Sequence, residues 1–163
     1  MMNKIFLALL LCLCLFFGAC ASKKYSDTLT CKDLTTALKD KIFADEQYSE
    51  YLQSDVEHIF SNGKISDYCV LYSSSSDDIG EFGVLCAESA EEARKLLSSV
   101  ESHIDDIRQS KSEFLRNYMP EELSKLENAK AKQFGRYVVF VLHDSDPSSK
   151  IFKEAEGLLK QKD

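Results

Sequence analysis

Three histidines, six cysteines and one dense run of carboxylates are the residues of this chain with chemistry to offer. His58, His103 and His143 lie far apart, on three different segments. A nucleophile–histidine–carboxylate triad needs its members brought together by the fold. No GxSxG elbow and no local thiol-protease context surrounds any serine or cysteine. A hydrolase built on these residues would therefore need a wholly non-local site. Zinc spacing is absent too, since no CxxC or HxxxH occurs. Asp77-Asp78-Glu81 and Asp144-Ser145-Asp146 present oxygen ligands, but both lack the central glycine and closing glutamate of an EF-hand loop. Asp146, before Pro147, reads as a helix cap. No catalytic residue, metal ligand or cofactor is expected.

The cysteines divide into three groups. Cys12 and Cys14 sit in an uncharged run from Ile5 to Ala19 that follows Lys4. One positive charge followed by a short apolar run is the secretory pattern. Fifteen residues fall short of the roughly 20 a spanning helix requires. The run closes Phe17-Gly18-Ala19-Cys20, with small residues before a cysteine, as in a bacterial lipobox. Residues 1–19 are thus expected to be a signal peptide, with Cys20 the lipidated first residue of the mature chain. Two acyl chains suffice for stable anchoring, at about 0.8 kcal/mol per buried CH₂. Residues 20–29 then form a polar tether, with Lys23 and Lys24 at headgroup level.

Cys31, Cys69 and Cys86 complete the mature set, and an odd trio cannot be fully paired within one molecule. With the loop of the hairpin that carries them centred between Asp77 and Asp78, Cys69 falls opposite Cys86. Cross-strand Cα atoms about 4.5–5.5 Å apart are within reach of a disulfide. Adjacent thiols are expected there, bonded or acting as two buried small hydrophobes.

Carboxylates concentrate in residues 77–106, where Asp77, Asp78, Glu81, Glu91, Glu92, Asp105 and Asp106 stand among few bases. This segment should form an acidic surface, either a solvated face that keeps the domain off an anionic membrane or a contact for a cationic partner. The whole chain carries a net charge of −7, which argues against nucleic-acid binding.

The elements that must position these groups follow from patterning. Thr30-Cys31-Lys32-Asp33 resembles a capping box and opens a helix through Leu34, Ala37 and Leu38. A second short helix is expected to carry Tyr48, Tyr51, Leu52 and Val56. Tyr68–Ser73 and Glu81–Ala87 read as a hairpin around the polar stretch 74–78. Ser89 caps the longest helix, whose inward stripe runs Ala93, Leu96, Leu97, Val100, Ile104, Ile107, Phe114, Leu115 and Tyr118. Residues 108–113 are polar on every face, so exposure or a kink is expected there. Pro120 starts a further helix. Phe134-Gly135-Arg136 turns a short strand, 129–133, into the strongest one, Tyr137–Leu142, and Asp146-Pro147 opens the last helix. The order ααββααββα predicts an α+β fold with a small antiparallel sheet of about four strands, forming one domain over residues 30–163.

The lipobox, the YCVLYS…DDIGEFGVL hairpin, the helix after it, NYMPEEL and FGRYVVFVL together resemble the lipoprotein family with domain of unknown function 4358. The likeness covers roughly residues 30–145. It implies export and lipid anchoring, and it transfers no functional residue. The resulting expectation is a non-enzymatic binding or interaction module on the extracytoplasmic face of the cell membrane. Its partner would be a protein or envelope ligand, and the alternative is an envelope-acting hydrolase.

Overall fold

The computed structural model describes residues 25–160, so the expected signal peptide, Cys20 and the first residues of the expected tether lie outside the described part. In chain order the elements are α1 (Cys31–Ile42), β1 (Tyr48–Glu50), α2 (Gln53–Ile59), β2 (Ile65–Ser73), β3 (Glu81–Ala87) and α3 (Ala90–Tyr118). A 3-10 turn (Pro120–Glu122) follows, then α4 (Leu123–Asn128), β4 (Lys130–Phe134), β5 (Tyr137–Leu142) and α5 (Ser145–Leu159). The five strands form one antiparallel sheet in the order β1-β2-β3-β5-β4.

Helices cover both faces of this sheet, so β3 and β5 are apolar at nearly every position rather than alternating. Phe82, Val84, Cys86, Tyr137, Val139 and Val141 pack against α1 and α5. Leu85, Ala87, Val138, Phe140 and Leu142 pack on the opposite side, against α2, α3 and α4. A Cβ on Gly83 would stand 2.8 Å from the Phe140 ring and 3.1 Å from Val70 Cα. Only a bare backbone fits there. Gly135 has φ +60° as the first central residue of the two-residue β4–β5 turn, the conformation of a type II′ hairpin. Exposed Lys130 and Lys132 guard β4, an outer strand of the sheet, against pairing with another chain.

Two of the three expected caps form. Thr30 Oγ1 accepts from Asp33 N–H at 3.0 Å, and Ser89 Oγ accepts from Glu92 N–H at 3.1 Å. The polar stretch 108–113 does not break α3, which is continuous over 29 residues. Arg108 holds it by donating to the carbonyls of Leu126 and Ala129.

Several expectations need correction. Tyr48 belongs to an edge strand, not to the second helix, which begins at Gln53. The helix–strand ambiguity of so short an apolar stretch is resolved by pairing with β2. Asp144, not Asp146, occupies the N-cap of α5, and Asp146 forms an exposed ion pair with Lys150 at 2.5 Å. Part of the segment expected to be tether, residues 25–29, is packed against the domain. Ser26 N–H donates to the Leu159 carbonyl at 2.7 Å, the Tyr25 ring meets Phe134 edge-on, and Leu29 O accepts from Tyr137 Oη at 2.6 Å. Residues 25–29 are therefore docked on the domain.

Candidate functional site

Glu81 opens β3, on the face that looks toward α3. A charged residue heading an otherwise apolar strand must find a partner or pay desolvation. His103, on the core-facing side of α3 between Val100 and Ile107, supplies one. Its Nε2 lies 3.1 Å from both Glu81 oxygens. The Glu81 side chain is 5% exposed and that of His103 14%. The His103 ring stands edge-on to Phe60 at 5.4 Å, which fixes its plane.

Two tyrosines complete the cleft. Tyr72 is the cross-strand partner of Glu81. Tyr51 leaves β1 with its N–H donating to the Val70 carbonyl at 2.9 Å, and its ring meets Tyr72 edge-on at 4.9 Å. Burial, then the negative charge of the Glu81 carboxylate, push the Tyr51 phenol well above its ordinary range. It is a fixed hydrogen-bond donor. Together with Ile107 and Lys111 these groups enclose a cleft of about 300 Å³.

The loop that carries Glu81 is held by a charged knot. Asp78 Oδ1 accepts from Gly80 N–H at 2.6 Å and from Lys125 Nζ at 2.5 Å. Lys125 also meets Glu122 at 3.0 Å, and Glu122 accepts from Ile79 N–H at 2.9 Å. Burial opposes ionisation of Asp78, but the Lys125 ammonium and the Gly80 N–H outweigh it and hold the carboxyl below its usual range. Burial likewise works against the Lys125 ammonium, and its two carboxylate partners more than compensate.

A second histidine–glutamate pair lies across the sheet. His143 Nε2 approaches Glu46 Oε2 at 3.0 Å, and Tyr48 Oη donates to the same Glu46 oxygen at 2.6 Å. His143 Nδ1 accepts from Asp144 N–H at 2.8 Å, at the start of α5. Both ring nitrogens of His143 are thus engaged by the fold.

The structure separates the expected acidic surface into two populations. Asp77, Glu91, Asp105 and Asp106 are exposed, with Asp105 paired to Arg108 at 2.8 Å. Glu81 and Asp78 are instead consumed by the cleft and its knot. Glu92 bonds Lys95 at 2.7 Å and the Lys64 N–H at 3.0 Å. Charge density along the chain revealed the acids, but their ownership depends on which face of β3 meets α3.

The cysteine register also needs correction. Cys69 is opposite Val84, and the partner of Cys86 is Asp67. The β2–β3 pairing is centred between Ser76 and Asp77, one residue earlier than expected, which moves every partner by two positions. Cys69 and Cys86 keep a common face and a common core cluster. All three described thiols, Cys31, Cys69 and Cys86, are buried and free.

Of the three histidines, His58 and His103 line one further cleft together with Ser102 and Asp106, while His143 stands apart. Tyr51, Tyr72 and Lys125 were not picked out from sequence. A legible signal existed for Tyr72, because the correct loop centre places it opposite Glu81. The comparisons are sparse: no curated protein and no solved structure matches the chain. Glu81, His103, Tyr72 and Lys125 all lie within residues 60–143, just over half of the chain, which match the family described as Domain of unknown function (DUF4358), and the chain belongs to that family.

Proposed function

We propose that this is a lipoprotein anchored through Cys20 to the extracytoplasmic face of the cell membrane, and that its domain is a binding module. The cleft of Glu81, His103, Tyr51 and Tyr72 would receive the ligand. The observation that carries the reading is the convergence of a buried carboxylate, an imidazole and a phenol on one small opening, flanked by uncovered aromatic surface. Tyr72 is 41% exposed, and Phe114 and Tyr118 are exposed at 53% and 73% with their rings 5.1 Å apart. These last two were expected in the inward stripe of α3, but at this end of the helix the core takes Leu115 and leaves them exposed. The cleft suits a group that donates hydrogen bonds to Glu81 and lays an apolar face on the tyrosines.

The address rests on Lys4, the uncharged run and Phe17-Gly18-Ala19-Cys20. Cys20→Ala should abolish lipid labelling in cells, and normal labelling of the variant would refute the anchor. For the cleft, a photoreactive residue at Tyr72 in the lipidated protein should give an adduct in intact cells. The adduct should be lost in Glu81→Gln and absent when the probe replaces exposed Lys153 on α5. Identical products from both positions would overturn the cleft as the binding site.

One observation favours the hydrolase alternative: a buried carboxylate orienting an imidazole toward a cleft is also what a general base requires. Release of products from purified envelope material by the wild type, abolished in His103→Ala, would select that reading over binding.

A further inference from the structure

Cys31 is the first residue of α1, and its N–H donates to Asp67 Oδ2 at 2.7 Å. Asp67 is the cross-strand partner of Cys86. This bond ties the start of α1 to β2 at the residue opposite Cys86, and both thiols enter the same buried cluster as Tyr137, Leu34 and Val84. The Cys31 and Cys86 thiols are close enough for each to shift the other's ionisation. Cys69 occupies the same face but stands opposite Val84, beside Thr35 of α1.

We propose that Cys31 and Cys86 form an intramolecular disulfide that ties α1 to β3 where the membrane tether joins the domain, with Cys69 remaining a reduced core thiol. The Cys31 thiol, against the cost of burial and with help from Ser66 and Arg136, draws the Cys86 thiol down to about 6. Cys86 is thus the more acidic thiol of the pair and attacks first as the thiolate, while Cys31 holds its proton and resolves. The oxidant is a disulfide, either that of a thiol oxidase outside the cytoplasm or a small-molecule disulfide. Cys86 sulfur attacks one of its sulfurs, that S–S bond breaks, and one thiolate leaves. Cys31 then gives up its proton and attacks Cys86 sulfur, displacing the second thiolate. Two protein thiols are oxidised, the oxidant disulfide is reduced to two thiols, and the released protons pass to them or to solvent.

Formation of the bond in cells rests on the extracytoplasmic reading, whereas the choice of partners does not. Full-length protein in detergent, treated with oxidised glutathione, blocked with a maleimide and mapped without reduction, should yield one Cys31–Cys86 linked peptide and maleimide on Cys69. Its melting temperature should stand roughly 10 °C above that of the reduced protein. The Cys69→Ser variant should keep the gain, and the Cys31→Ala/Cys86→Ala variant should lose it. A Cys69–Cys86 link, or glutathione adducts alone, would overturn the proposal. The same mapping on protein blocked inside cells separates the two readings. Linkage in both samples supports both, while linkage only after purification upholds the pair and refutes the extracytoplasmic address.

Discussion

The two histidine–glutamate pairs on opposite faces of the sheet have nearly the same contact geometry and different surroundings. In the pair toward α1 and α5, His143 is buried and Glu46 is 37% exposed, so water can take over the carboxylate. Its imidazole also caps the start of α5 through Nδ1. In the pair toward α3 the carboxylate is the deeper partner. Among the described residues His103 hydrogen-bonds to Glu81 alone, and a cleft opens beside the pair. The same pair of residue types is thus spent on the fold in one place and displayed in the other. A histidine is read as functional from the fate of its second nitrogen and the depth of its carboxylate, not from its having an acidic partner.

The largest effect that sharpens this contrast should come from Lys125→Met. It leaves Asp78 and Glu122 beside each other without their cation, at a cost of about 3–5 kcal/mol in urea unfolding. The pH dependence has a defined sign. A lowered Asp78 carboxyl contributes stability that is complete above the unfolded value near 4 and lost as pH falls through the folded one. Thermal melts from pH 6 to pH 2 should show that loss in the wild type and a flatter acid limb in Lys125→Met. Parallel profiles would mean that the knot does not govern the loop.

A smaller effect separates the two pairs directly. His103→Ala leaves Glu81 buried without its imidazole, and should cost about 2–4 kcal/mol. His143→Ala leaves a carboxylate that solvent reaches, and should cost about 1–2 kcal/mol. Urea midpoints of the two variants measure the difference. Equal costs would remove the asymmetry on which the comparison stands.

Smallest of all should be the joint neutralisation of Asp77, Glu91, Asp105 and Asp106 to their amides. These exposed charges are screened over about 8–10 Å near physiological salt, and the melting temperature should move by no more than about 2 °C. If they contribute to the rim of the binding surface, the variant should weaken capture by the Tyr72 probe and remove its salt dependence. Unchanged capture would confine recognition to the cleft itself.

Much of this protein was legible in its residues because the signals are local. Thr30 and Ser89 announce helix starts through donors only three residues away. EFGVLCA and YVVFVL declare strands buried on both faces by having almost no polar position. Phe134-Gly135-Arg136 specifies its turn through one positive φ. Tyr48–Glu50 was not legible as a strand, since three residues become one only when β2 lies beside them. The candidate site was less legible still. Glu81, His103, Tyr51 and Lys125 come from four separate segments, and their meeting depends on a β2–β3 register that a one-residue error in the loop centre displaces by two. The sequence by itself determined the α+β class, the helix caps and the two apolar strands, because propensity and periodicity act within a few residues. Only the tertiary structure decided which carboxylates are buried, which histidine faces a cleft and which cysteine meets Cys86, because burial and long-range pairing exist only once the layers close.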